Sequence, residues 1–88
     1  MFYVYVLFSH KDKHIYIGYT RDLKKRLTRH LTGDVKATRC RLPLELIYYE
    51  AYRDKRDATK RERFLKGGRG RELLKRLLKY SLPIGVSG

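Results

Sequence analysis

The 88-residue chain is long enough for one small domain, which buries only roughly 60–70% of the surface that its unfolded chain exposes. Its 22 Lys and Arg residues outnumber its 9 Asp and Glu residues, and the net charge of +13 attracts polyanions over long distances. These numbers exclude a deep enzyme cleft and make nucleic acid the first partner to consider.

The first predicted element is a short apolar strand. Residues Phe2 to Phe8 are rich in β-branched and aromatic side chains, which favours a strand buried on both faces. No basic segment precedes this run and no small-residue cleavage site follows it, as a secretion signal requires. No run approaches the roughly 20 apolar residues of a membrane span, and the absence of Trp disfavours a membrane-surface helix. We therefore expect a soluble, cytoplasmic protein that does not bind membranes.

A second strand over His14 to Tyr19 follows a polar turn, so the two strands should pair as an antiparallel hairpin. Gly18 within this strand predicts a bend or a close approach to the backbone. Tyr5 of the first strand and Tyr16 of the second would bring two phenols together. A phenol has a pKa near 10, so it acts as a base at neutral pH only where cations stabilise its phenolate. The alternative is that these tyrosines are ordinary strand aromatics.

A basic helix is predicted after the hairpin, from near Arg21, with Thr20 as N-cap, to Gly33. Three leucines form its predicted core stripe, whereas four polar residues point away: Leu23, Leu27 and Leu31 against Lys24, Lys25, Thr28 and Arg29. Arg26 and His30 flank the stripe, where they would line a cleft beside the sheet. Arg26 suits a phosphate, and His30 suits proton transfer. The alternatives are a solvated cation and a structural histidine.

Residues 34–43 show no periodicity and predict an exposed, mobile loop. Cys40 is the only cysteine, so an intramolecular disulfide and a four-ligand Cys/His zinc site are both excluded, which fits a reducing compartment. Leu44 to Tyr52 is predicted to be the third strand, which completes a sheet with the hairpin.

Two helices complete the chain. Asp54 or Asp57 should cap the first, which stops at Gly67-Gly68, and the second should run from about Arg69 to Tyr80, before a frayed tail over 81–88. The predicted buried face of the last helix consists of Leu73, Leu74, Leu77 and Leu78. The predicted fold is therefore α/β of the α+β type. It is a single domain with a small three-stranded, mainly antiparallel sheet flanked by helices in the order β-β-α-β-α-α, over residues 1–80.

Glu62 lies on the same helix face as Ala58 and Leu65, so a carboxylate borders an apolar stripe. Such a charge needs a cation, a hydrogen bond or a metal. An i,i+4 pair with Lys66 or exposure beside Ala58 would suffice. If a metal is present, one carboxylate with few other acids suits Mg²⁺, which keeps most of its waters and binds substrate phosphates.

In this order the residues resemble the GIY-YIG nuclease superfamily, particularly its small single-domain members and the nuclease domain of the bacterial excision-repair incision subunit. Tyr3-Val4-Tyr5 stands where the first tripeptide belongs, and Tyr16-Ile17-Gly18 is an intact second tripeptide. Arg26 and His30 follow at the family spacing, and Glu62 stands at the position of the metal-binding glutamate. Tyr3 departs from the family pattern because it replaces a glycine.

The resemblance implies a metal-dependent DNA endonuclease that acts in DNA repair, recombination or processing, by in-line attack of water on a backbone phosphate. A single Mg²⁺ or Mn²⁺ would bind Glu62. Tyr5 would be the general base or position the water with Tyr16 as partner, unless Tyr16 is itself the base. Arg26 would stabilise charge on the phosphoryl oxygens. His30 would orient a tyrosine or assist proton transfer.

Other implied features concern the surroundings of the site. Gly18 would let the backbone bend around the site, and Lys24, Lys25 and Arg29 would contact the DNA backbone without regard to sequence. The DNA would be bound non-specifically or by its structure, and a homodimer or a protein partner that supplies specificity stays open. The alternative from another class is a non-catalytic nucleic-acid binder with this fold.

Overall fold

A computed structural model describes residues 1–82 of the chain. Three strands form one antiparallel sheet: β1 (Phe2–Ser9), β2 (Ile15–Thr20) and β3 (Leu44–Tyr52). The strand order is β2-β1-β3, so β1 lies in the centre and pairs with both neighbours. The predicted α+β class, the hairpin and the third strand are thereby confirmed. Within these residues, no helix combines the length and apolar character that crossing a membrane requires.

Helices cover both faces of this sheet. α1 (Leu23–Leu31) lies on one face, and α2 (Lys55–Lys66) and α3 (Gly68–Leu77) pack against the other. Side chains of β1 alternate between the two faces, as in any strand. The α1 face buries Tyr5, Leu7 and Leu44, and the opposite face buries Val4, Val6, Phe8, Ile15, Ile17, Ala58, Leu65, Leu74 and Leu78. The central strand is therefore buried on both sides, as its composition predicts.

The predicted start of α1 was wrong by two residues. Asp22, and not Thr20, is its N-cap, because an Asp22 carboxylate oxygen accepts a hydrogen bond from the Lys25 amide at 3.0 Å. The Thr20 hydroxyl is instead engaged in the preceding turn, where it bonds to the backbone of Asp22. Gly33 follows the helix with a φ of +79°, as a C-terminal glycine does. Leu31, predicted in the core stripe, is 47% exposed at the last residue of the helix.

The segment predicted as an exposed loop, residues 34–43, is partly buried and ordered by hydrogen bonds. It contains a 3₁₀ turn over Arg39–Arg41, and the side chain of Thr38 just before this turn is completely buried. The backbone carbonyl of Arg41 accepts a hydrogen bond from the Ser9 hydroxyl at 2.6 Å, which ties the segment to the end of β1. Arg41 also pairs with Asp12 in the hairpin turn.

The two helices of the opposite face meet at a tight corner. Asp54 caps α2, and Gly67 both ends α2 and precedes α3. A Cβ at Gly70 would lie 2.1 Å from the carbonyl oxygen of Phe64, so only glycine permits this crossing. The predicted extension of α3 to Tyr80 was wrong, since the helix ends at Leu77.

Two expectations for the C-terminal part need correction or fall outside the described residues. Leu77 was predicted on the buried face of α3 but is 51% exposed, at the last residue of the helix. Leu82, in the first part of the predicted tail, packs against the core of the α2/α3 face. The remainder of that tail, residues 83–88, lies outside the described residues.

Candidate active site

The site is built around the phenol of Tyr5, which is only 1% exposed. Tyr5 of β1 is paired in register with Gly18 of β2, and its ring crosses directly over that glycine. A Cβ at Gly18 would lie 2.4 Å from both the Cζ and the Oη of Tyr5. The predicted close approach at Gly18 is therefore confirmed, and the approaching group is a side chain of the site itself.

A chain of buried polar side chains continues from this phenol. The Oη of Tyr5 lies 2.8 Å from the Nε2 of His30, and the Nδ1 of His30 lies 2.7 Å from the Oγ1 of Thr38. His30 and Thr38 are both completely buried. The prediction that His30 flanks the core was therefore wrong: the imidazole lies inside the α1 face, because both of its nitrogens find partners there.

Electrostatics hold both titratable members of this chain in their neutral forms. Burial raises the pKa of Tyr5 well above its usual value of 10, and the charges of Tyr16 and Glu62 raise it further, whereas Arg26 lowers it. Burial lowers the pKa of His30 to about 4, and the charges of Arg26 and Arg29 act in the same direction. At neutral pH, Tyr5 is a phenol and His30 is an uncharged imidazole.

Tyr16 forms the open side of the site. Its ring centroid lies 6.4 Å from that of Tyr5 and 5.3 Å from that of His30, so the three rings form one cluster. The hairpin register explains this contact, because Tyr16 of β2 and Tyr5 of β1 project from the same face of the sheet. Tyr16 is partly exposed, whereas Tyr5 is not.

Arg26 faces a concave surface that suits an anion. It is partly exposed, and with Lys25 and Arg29 it lines a depression of about 190 Å³ that Thr20 and Asp22 complete. Three cations around a depression of this size favour a phosphate group, and the Arg fork can make two parallel hydrogen bonds to it. Arg29 also forms an exposed ion pair with Asp34 at 3.3 Å, so part of its charge is compensated.

Glu62 reaches the site from α2. Its side chain is 22% exposed and its Oε2 lies 3.1 Å from the Nζ of Lys66, so the i,i+4 ion pair is present. The carboxylate also raises the pKa of Tyr5, so the two groups lie within electrostatic reach of each other.

The carboxylates and other potential ligands of the site restrict which metal it could hold. Among residues 1–82, no group of three or more His, Cys, Asp or Glu side chains could hold a metal ion. This arrangement does not fit a Ca²⁺ cage or a zinc centre. It fits a single Mg²⁺ on Glu62, since Mg²⁺ binds through one or two carboxylates, its own waters and substrate phosphates.

Tyr3 lies apart from the cluster. Its ring contacts that of Tyr49, with centroids 6.1 Å apart, and both line a shallow groove beside the site. The remaining residues of this groove are Arg21, Asp22, Leu23, Lys24, Leu27 and Leu46. The side chain that replaces the family's glycine therefore shapes the surface next to the site and does not enter the site.

The structure brings together most of the predicted site residues. The rings of Tyr5, Tyr16 and His30 are in contact, and the charges of Arg26 and Glu62 act on the Tyr5 phenol. Lys24 and Lys25 are exposed on α1, as predicted. Thr38 was missed, because nothing in the aperiodic sequence around it indicates that its hydroxyl would meet an imidazole.

Comparisons with known proteins agree with this arrangement. Residues 1–76 match the GIY-YIG catalytic domain. A UPF0213 protein of Streptococcus agalactiae serotype V is 46% identical over 65 residues, which are 73% of this chain and 73% of the relative. A UPF0213 protein of Streptococcus pyogenes serotype M5 is 49% identical over 65 residues, which are 73% of this chain and 70% of the relative. No solved structure matches the chain. The chain therefore belongs to the GIY-YIG family, alongside the small single-domain UPF0213 proteins.

Proposed function

We propose that the protein is a divalent-metal-dependent endonuclease that hydrolyses DNA by in-line attack of water on a backbone phosphate, in DNA repair, recombination or processing. Membership of the GIY-YIG family implies a nuclease-type function. The observation that supports the proposal most is the convergence on one face of the sheet: a Tyr5–His30 hydrogen bond, a second phenol at Tyr16, and the Arg26 depression.

Arg26 is the proposed phosphate ligand. Its guanidinium stays charged at any working pH and would neutralise the charge that develops on the phosphoryl oxygens in the transition state. Lys25 and Arg29 on the same depression would strengthen the attraction of the phosphate. Lys24 extends the positive surface along the exposed side of α1, where it would contact neighbouring phosphates.

The two phenols differ in access, and this difference supports different roles. Tyr16 is partly exposed, whereas Tyr5 is only 1% exposed and its pKa is raised, so Tyr16 is the phenol better placed to contact an attacking water. We therefore assign the contact with the water to Tyr16, which was the alternative base at the outset. Tyr5 would hold Tyr16 and the phosphate in position through its hydroxyl and its packing on Gly18.

Glu62 is the proposed ligand of the single metal ion. When bound, a Mg²⁺ or Mn²⁺ ion supplies Lewis-acid stabilisation of the phosphate and the leaving oxygen. The carboxylate is partly exposed, as such a ligand must be, and within residues 1–82 its ion-pair partner is Lys66. The ammonium of Lys66 compensates the carboxylate charge and would compete with a dication for it.

The test is a Glu62→Gln variant assayed on linear, flapped and branched DNA with Mg²⁺ or Mn²⁺. Loss of the metal ligand should reduce cleavage by roughly a hundredfold or more, since a metal supplies several kcal/mol of transition-state stabilisation. DNA binding should persist. Glu72→Gln is the matched control, because Glu72 is an exposed glutamate on α3.

A second control separates the metal role from the ion pair. Lys66→Gln removes the same pair as Glu62→Gln but leaves the carboxylate in place. A metal ligand predicts that Lys66→Gln still cleaves, whereas a purely structural Glu62 predicts similar behaviour of the two variants. If the wild-type protein leaves every DNA substrate intact with either metal yet binds it, the non-catalytic nucleic-acid binder is the correct function.

A further inference from the structure

The buried side chains of Thr38, His30 and Tyr5 carry one more proton than the hydrogen bonds between them require. The phenol and the threonine hydroxyl each carry one proton, and a neutral imidazole carries one N–H. Only two hydrogen bonds link the three groups, at 2.8 Å and 2.7 Å. One of the three protons must therefore point out of the chain, at one of its two ends.

Two arrangements satisfy this count. In the first, Tyr5 donates to Nε2 of His30 and the Nδ1–H of His30 donates to Thr38, which leaves the Thr38 hydroxyl proton over. In the second, Thr38 donates to Nδ1 and the Nε2–H of His30 donates to the Oη of Tyr5, which leaves the Tyr5 proton over. The two arrangements require different tautomers of His30.

The surroundings of the two ends distinguish these arrangements. Thr38 is completely buried, and within residues 1–82 its hydroxyl makes no hydrogen bond other than that with His30. A leftover proton there would be a buried donor without an acceptor, which is costly. The Oη of Tyr5 lies within electrostatic reach of Tyr16 and Arg26, and the phenol oxygen of Tyr16 can accept a proton there.

We propose that Thr38 is a positioning residue of this site, which donates its hydroxyl proton to Nδ1 of His30 and so fixes the imidazole with its Nε2–H directed at the Oη of Tyr5. His30 is then a hydrogen-bond donor to the phenol and does not accept the phenol proton. The hydroxyl proton of Tyr5 is directed away from His30, into the site. The low pKa of His30 agrees with this role, because the imidazole must stay neutral for Nδ1 to accept.

The consequence for catalysis rests on the proposed nuclease function. A Tyr5 hydroxyl whose proton is directed into the site can donate a hydrogen bond to the Oη of Tyr16 or to a phosphoryl oxygen, and both would gain negative charge during hydrolysis. Thr38 would act only through His30 and Tyr5, without contact with the substrate. This assigns a function to the segment before the 3₁₀ turn, which otherwise contributes only packing.

The tautomer is measurable by NMR without any assay of activity. In a long-range ¹H–¹⁵N spectrum at pH 7, His30 should show a protonated Nε2 and an unprotonated, hydrogen-bonded Nδ1. A His30→Gln variant identifies its signals against those of His10 and His14. A protonated Nδ1 in the wild-type protein would overturn the proposal.

Variants at Thr38 test the donor directly. Thr38→Val has nearly the same shape but no hydroxyl, so the Nδ1 resonance should move towards that of an imidazole without a hydrogen bond, whereas Thr38→Ser should keep the wild-type position. An Nδ1 resonance unchanged in Thr38→Val would contradict the proposal. If Thr38→Val does not fold, the tautomer of the wild-type protein still decides.

Cleavage by the same variants tests the catalytic consequence. Thr38→Val should lower kcat by roughly tenfold, as loss of a supporting hydrogen bond behind an active-site group does, with little change in KM, and Thr38→Ser should restore the rate. Equal rates in all three proteins would overturn the catalytic role of Thr38. Absence of cleavage by the wild-type protein would instead refute the proposed function, and the NMR result would still decide the tautomer.

Discussion

The two faces of the sheet differ in the kind of side chain that they bury, although the same central strand contributes to both. On the α2/α3 face, β1 contributes Val4, Val6 and Phe8 to a core whose buried members are all apolar. On the α1 face, the same strand contributes Tyr5, and the buried set includes an imidazole and a threonine hydroxyl in one hydrogen-bonded chain. The difference teaches that this small domain concentrates its stability on one face and its chemistry on the other.

One polar cluster on the α2/α3 face links β3 to α2. The Glu50 carboxylate of β3 accepts hydrogen bonds from the phenols of Tyr48 and Tyr52, each at 2.5 Å, and from Arg61 at 2.9 and 3.0 Å. Arg61 is the neighbour of Glu62 on α2. The Glu50 cluster therefore anchors the helix that carries Glu62.

The largest expected effect is on stability and comes from the apolar face. Leu74→Ala in α3 removes a completely buried side chain and should lower the free energy of unfolding by about 2–5 kcal/mol. Leu77→Ala is the matched control, because Leu77 is 51% exposed in the same helix. Urea denaturation measures both variants, and cleavage per folded molecule should stay unchanged. Equal destabilisation by the two substitutions would contradict the assignment of the core to this face.

The next effect is the pH dependence that the α1 face imposes. Unfolded His30 binds a proton below about pH 6.5, whereas the folded protein binds one only below about pH 4. Between these values the unfolded state holds more protons, so stability falls as the pH falls, by about 3 kcal/mol in total. His30→Gln should lack this part of the decrease.

Urea denaturation of wild type and His30→Gln at pH 7 and pH 4.5 isolates this contribution. The two proteins differ only at position 30, so the contributions of all other groups cancel in the difference. A parallel decrease in the two proteins would show that His30 is not held neutral by its surroundings.

The third effect concerns the geometry of the site. Gly18→Ala places a Cβ 2.4 Å from the Tyr5 ring, so the phenol must move away from His30. A displacement of about 1 Å in an active site can cost roughly a hundredfold in rate, and we expect a loss of this size in cleavage. Gly68→Ala is the control, because a Cβ at Gly68 meets no atom within 4 Å. Wild-type cleavage by Gly18→Ala would exclude Tyr5 from the mechanism.

Local sequence signals predicted the parts of the fold that depend on neighbours along the chain. The hairpin, the third strand and the Asp54 cap each follow from residues within a few positions of one another. The contact at Gly18 could also be predicted from the local sequence, since a glycine inside a strand indicates a close approach.

Contacts between distant segments determine the features that the sequence did not predict. Thr20 and Asp22 are both good N-caps, and the choice between them depends on the turn in which the Thr20 hydroxyl is already used. His30 lies inside the fold because Tyr5, 25 positions away, and Thr38 satisfy its two nitrogens. Helical spacing cannot reveal such partners. The sequence therefore predicted which residues form the site but not that His30 is buried within it.

The smallest effect concerns the charge on the two outer surfaces. Lys24 and Lys25 are exposed on α1 next to the Arg26 depression, whereas Lys75 and Arg76 are exposed on α3, on the opposite side of the sheet. Lys24→Gln with Lys25→Gln should weaken DNA binding equally for all sequences, and should reduce the slope of log K against log salt by about 1 for each lysine that contacts a phosphate. The same double change at Lys75 and Arg76 alters the net charge by an equal amount and should leave this slope unchanged. Binding measured by fluorescence anisotropy over a range of salt concentrations compares the two pairs. If both pairs lower the slope equally, the DNA is attracted by the total charge of the protein. The exposed surfaces of α1 and α3 would then not differ in DNA binding, although the two faces of the sheet differ in what they bury.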